Sequence, residues 1–179
     1  MFAMTKFVPA FLFAGLLLAQ GQPKPPQSLR ELLLEELHTT HDQKDWFVPI
    51  NVAVEGLTAE QAKWTDGKGN HSIGQLVNHL AFWNARALLR FKGEKPASYN
   101  GDNDETFNAF DAKTWKATVS RLDSTMSDWE KAVEQADESK LKESASLIAH
   151  VSTHNAYHVG QIVYVRKLQG SWNPEKGVK

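Results

Sequence analysis

Trp115, Val119, Leu122, Met126, Trp129 and Val133 follow one another in alternating steps of four and three residues. Only a helix turns that period into one continuous apolar face, so the stretch predicts a long helix packed along its length. The same spacing recurs in three other places, and no stretch of any length alternates apolar with polar residues as a strand would. Leu29, Leu32, Leu33 and Leu37 mark a first helix running from about Ser28 to about Val48. Ser28 is its N-cap, Glu31 stands at the capping-box position, and Pro49 is expected to end or kink it. Ile73, Leu76, Val77, Leu80, Trp83, Ala87 and Phe91 mark a second helix, opened by Ser72 and stopped before Gly93. The Trp115 stretch is the third. Leu147, Val151, His154, His158, Gln161, Val165 and Leu168 mark the fourth, closed by Gly170. An all-α four-helix bundle is the arrangement that hides four such faces at once.

The connections fit that reading. KGEKPASYNGDNDETFN, between the second and third helices, is rich in Gly, Asn and Asp and predicts a long crossover loop. Residues 55–71 form another connection, with Gly67 and Gly69 at turns and a short helical turn after Thr58.

The first nineteen residues stand apart from the bundle. Lys6 is followed by FVPAFLFAGLLLA, thirteen apolar or small residues, whereas a membrane span needs about 20. One positive charge, a short apolar run and a small residue at its end predict a secretory signal peptide over residues 1–19. Retention of the run as an N-terminal anchor is the alternative. Residues 20–27 then form a proline-rich, extended lead-in, and residues 28–179 the bundle domain. An exported chain, periplasmic or extracellular, with no membrane association after cleavage, is the expectation.

The formal net charge is -1, and removing Lys6 with the leader makes it -2. So near-neutral a balance gives no footing for nucleic acid or an acidic membrane as partner. The chain has no cysteine, which excludes disulfides, thiolate metal sites and a cysteine nucleophile.

Two positions of the fourth apolar seam, His154 and His158, hold histidine where packing asks for leucine. Residues four apart on a helix point the same way, with Cβ atoms about 6 Å apart, a spacing that lets two imidazoles share one metal ion. On a buried seam, each ring nitrogen left without a partner would cost about 1–3 kcal/mol. A divalent ion resolves that problem by taking one lone pair from each neutral ring. His79, on the flank of the second helix's apolar face, is placed to supply a third ligand. Three histidines with open positions is a catalytic type of site. The spacing alone leaves the other reading open, in which the histidines are core residues satisfied by hydrogen bonds.

The remaining four histidines read as less involved. His150 extends the ladder after the stripe has rotated, so it belongs on the flank. His38 and His41 are expected on a solvated face of the first helix, with a role near the site as the alternative. His71, just before an N-cap, reads as a surface loop residue.

The stretch HNAYHVGQI from His154, continuing to RKLQG from Arg166, resembles the C-terminal signature of the DinB-like (YfiT-like) metal-binding four-helix bundle superfamily. HSIGQLVNHLAFW from His71 resembles that family's first histidine motif, and LTAEQAKW from Leu57 the segment preceding it. WFVPI from Trp46 fits the same pattern, and the resemblance spans about Ser28 to Gly170. It implies an up-down-down-up bundle holding one divalent metal, zinc or nickel, through His79, His154 and His158. It also implies a small-molecule substrate and a homodimer, since relatives include thiol-dependent transferases and isomerases, metal-dependent hydrolases and dimers. Predicted export departs from the cytoplasmic setting usual in the family, where reduced thiols are abundant.

Two function classes follow. One is a metal-dependent hydrolase or thiol-dependent transferase, with Gln161, Asn155, Tyr157 and His41 as candidates for substrate contact. No glutamate stands beside the histidine pair to serve as general base. The other is a non-enzymatic metal-binding or stress-related bundle of the cell envelope.

Overall fold

A computed structural model describes residues 24–99 and 101–178. The predicted signal peptide, residues 1–19, and the first part of the lead-in lie outside them. Among the described residues the regular structure is entirely helical, without strands.

The first helix, α1, runs from Leu29 to His41, and Ser28 caps it by accepting the Glu31 amide. It stops about two turns before the expected end near Val48. Asp42, Gln43, Lys44 and Asp45 offer no apolar face to continue with, and the amides of Asp42 and Gln43 both close on the His38 carbonyl. Its buried line is Leu33, Leu37 and Thr40, with His41 beside it, whereas Leu32 faces solvent. Pro49 does not end this helix. It opens the next, α2 (Ile50–Val54), at a position where a missing N–H costs nothing.

The expected turn after Thr58 is present as α3 (Ala59–Lys63), held by a capping box between Thr58 and Gln61. A second capping box, Ser72 with Gln75, starts α4 (Ile73–Phe91). Gly93, at φ +81, takes the left-handed turn that closes it. The connection between α4 and the next long helix carries a short helix of its own, α5 (Glu105–Asn108), and a 3-10 turn at Ala112–Thr114 leads into α6 (Trp115–Gln135). The last helix, α7 (Glu138–Leu168), begins at the N-cap Asp137, ten residues before Leu147. Leu141 and Ile148, both fully buried, extend its inner face backwards.

α1 and α4 do not face each other; each packs against both α6 and α7. Named pairs fix the register. Arg30 on α1 reaches the carbonyls of Val133 and Glu134 at the end of α6 and the Glu138 carboxylate at the start of α7. Arg121 bonds Asn78, and the Trp129 indole donates to the Asn84 carbonyl, so α4 and α6 meet at matching heights.

The apolar core is divided. One cluster holds Ile73, Leu76, Val77, Leu80, Leu122, Val159 and Ile162. The other holds Leu33, Leu37, Leu88, Trp129, Leu141 and Ile148. Each such side chain contributes about 1.5–3 kcal/mol by its burial. Between the clusters Asn84 on α4 meets Asn155 on α7, amide to amide at 2.8 Å. Both are essentially without solvent contact, and paired amides remove the cost of burying either alone. The histidines lie at the edge of this polar waist.

Candidate metal centre

The capping box at Ser72 sets the phase of α4. With Ile73, Leu76, Val77 and Leu80 turned into the core, His79 falls on the edge facing α7. There it meets His154 and His158. The Nε2 atom of His154 lies 3.2 Å from that of His79 and 3.0 Å from that of His158. The three rings meet edge to face, with centroids 4.6–5.1 Å apart. His79 and His158 are buried, and His154 is half-buried.

The far side of each buried ring decides which nitrogen carries the proton. The Nδ1 atom of His158 lies 2.6 Å from the Gln161 side-chain carbonyl, which can only accept, so Nδ1–H donates to it. The Nδ1 atom of His79 lies 2.6 Å from the Thr106 hydroxyl, and that hydroxyl gives its own proton to the Asn103 carbonyl at 2.6 Å. Thr106 therefore accepts from His79. Both rings are left with Nε2 lone pairs aimed at His154.

Electrostatics keeps the rings neutral. Burial, followed by the neighbouring His158 and His154 rings, pushes His79 down to about 3. Burial, followed by His154, pushes His158 down to about 4 against an opposing pull from Gln161. Burial also lowers His154. Neutral imidazoles with converging lone pairs are the state a metal ion requires. Nitrogens bound to one ion at about 2.0–2.1 Å in a tetrahedral arrangement stand ~3.3 Å apart, close to the spacing here. The donor set therefore fits one divalent transition-metal ion.

The connection between α4 and α6 completes the site. Asn78 donates to the Thr106 carbonyl at 2.7 Å, and the Trp83 indole donates to the Asn103 side chain at 3.1 Å. Phe107 lies flat between two imidazoles, its centroid 3.9 Å from His79 on one face and 3.9 Å from His71 on the other. Phe110 packs so closely on the first turn of α4 that a Cβ at Gly74 would come within 2.1 Å of its ring. His71 is therefore not the free surface residue its loop position implied.

The other sequence candidates separate cleanly. His150 is exposed, one turn before His154, on the flank as expected. Gln161 holds His158, and Asn155 belongs to the core amide pair. Tyr157 is largely exposed and accepts a bond from Gln161 at 3.3 Å. His41 departs from the expected solvated face: it is 3% exposed and held at both nitrogens by carboxylates of α6. Thr106, Asn103 and Phe107 escaped sequence reasoning, because a loop residue has no periodicity to betray its direction. A cleft of about 410 Å³ opens directly onto His79 and His154, between α4 and α7.

A family model described as the DinB superfamily matches residues 50–162. The chain belongs to the DinB superfamily. The match begins at α2 and ends within α7, so all three histidines of the triad in this DinB chain fall inside it. No curated protein and no solved structure matches the chain.

Proposed function

We propose that this DinB-superfamily chain binds one divalent metal ion, zinc or nickel, through His79, His154 and His158. On this reading it acts as a metal-dependent hydrolase or transferase on a small molecule. The observation that carries the proposal is the pair of oriented tautomers. Thr106 and Gln161 hold the Nδ1 protons of His79 and His158, which leaves their Nε2 lone pairs converging with that of His154. An ion held there supplies Lewis acidity, acidifying a water or a thiol.

The chain's own residues do the rest. Phe107 covers one face of the His79 ring, and the Asn103–Trp83 bond holds the loop against α4. The cleft beside His79 and His154 gives a substrate access to the triad. One observation favours the alternative, a non-enzymatic metal-binding bundle: the lining of that cleft includes no carboxylate to serve as general base.

The up-down-down-up arrangement belongs to the same proposal. It is supported by Arg30 joining the start of α1 to the end of α6 and the start of α7, and by the matched heights of α4 and α6. Export to the periplasm or outside the cell is supported by the apolar run from Phe7 to Ala19.

The test is turnover by zinc- and nickel-loaded protein of aryl esters, anilides and thiol-plus-electrophile pairs, beside His158→Ala. The proposal expects one class to turn over only with metal and an intact triad. Absence of turnover in fully loaded protein would favour the non-enzymatic bundle.

A further inference from the structure

The cleft that meets His79 and His154 has an uneven character along its length. Its inner end is formed by His79 and His154 of the triad, and its walls are Trp83, Leu147 and Val151. Its outer end carries Arg90 from α4 and His150 from α7. Among the described residues the Arg90 guanidinium has no hydrogen bond or ion pair, and neither has the His150 ring. No Asp or Glu contributes to the lining, so nothing within the cleft neutralises that end. A guanidinium without a partner at the mouth of a partly apolar cleft selects for an anion, and its planar fork matches a carboxylate.

We propose that the cleft takes a small substrate bearing a carboxylate, bound at Arg90 and His150, with its reacting group at the triad. The proposal rests on reading the triad as the reaction centre. Length follows from the helices: His150 precedes His154 by one turn, about 6 Å of rise. Arg90 follows His79 by about 16 Å of rise on α4, a gap its long side chain shortens, so an apolar chain separates the two groups of the substrate. Trp83, Leu147 and Val151 are the surfaces that chain would lie against. A carboxylate suits the site better than a doubly charged phosphate. One guanidinium and one imidazole are the donors offered, and the α4 and α7 backbone amides here are occupied within their helices.

The test is an NMR titration of the protein with hexanoate and with its uncharged isostere hexanamide, in zinc-loaded and chelator-stripped forms. Hexanoate is expected to bind at least about fivefold more tightly than hexanamide in both forms, with shifts centred on Leu147 and His150. Arg90→Gln, at an exposed position, is expected to abolish most of that preference without changing zinc content. The proposal is overturned if the two ligands bind alike, or if hexanoate does not bind. It is equally overturned if the preference survives Arg90→Gln or exists only with zinc present, where the carboxylate would be ligating the metal. A protein that takes up no zinc yet keeps an Arg90-dependent preference supports the cleft and counts against the metal reading alone.

Discussion

Thr106 accepts the Nδ1 proton of His79 at 2.6 Å because its own hydroxyl proton is committed to the Asn103 carbonyl. A residue of the α4–α6 connection thus fixes the tautomer of a residue on α4. Thr106→Val keeps the shape and removes the acceptor. It is expected to weaken zinc binding by about 10–100-fold, while Thr106→Ser retains it. Competition against a chelator of known affinity reads the difference.

Gln161 does the same for His158 from within α7. Its carbonyl is what matters, so Gln161→Glu, which keeps an acceptor and adds charge, should bind zinc at least as tightly as the parent. Gln161→Leu should lose about tenfold or more. Equal affinities for the two variants would show that His158 is oriented by packing instead.

These two partners mark how far the sequence could be read. Helix period placed His79, His154 and His158 on facing helices because regular elements convert spacing into direction. The polar waist was half legible, since the histidines broke the α7 seam. The deeper line of Ile148, Ser152, Asn155, Val159 and Ile162 was not recognised as the one facing the core. His41 was misplaced for a physical reason: its burial depends on Glu130 and Asp123, 89 and 82 residues away on α6. Thr106 and Phe107 were invisible because a loop's side chains take their direction from what they pack on.

His41 makes a third prediction, unrelated to the metal. Burial alone would lower it, but hydrogen bonds to Glu130 and Asp123 and their negative charge more than reverse this, raising it above its ordinary 6.5. A raised folded value stabilises the protein fully below pH 6.5, and that contribution fades as pH rises through the folded value. Asp123, lowered from 3.8 by its bonds from His41 and Asn51, loses its share as pH falls into the acid range. The stability lost in His41→Gln should therefore be greatest between about pH 4 and 6.5, near 2 kcal/mol, and smaller at pH 9. Urea unfolding of both proteins across that range tests it; a loss that grows with pH would refute the charge assignment.

Arg166 is a buried clamp. Its guanidinium donates to the carbonyls of Ala53 and Glu55 at the end of α2 and of Ser171 beyond α7, and it lies over the Trp172 ring. Arg166→Met keeps most of the volume but leaves those carbonyls without donors. A loss of about 2–4 kcal/mol is expected in chemical denaturation, with faster amide exchange in α2. Unchanged exchange in α2 would mean that the clamp holds only the C-terminal segment.

The most direct measurement is metal content. Protein purified without a histidine tag and incubated with zinc or nickel should carry about one equivalent of divalent metal per chain by elemental analysis, as three converging neutral imidazoles require. His154→Ala, which removes the half-buried member of the triad, should lose nearly all of it while keeping its helical circular dichroism. Less than about a tenth of an equivalent in the parent, or an unchanged equivalent in His154→Ala, would contradict the metal centre.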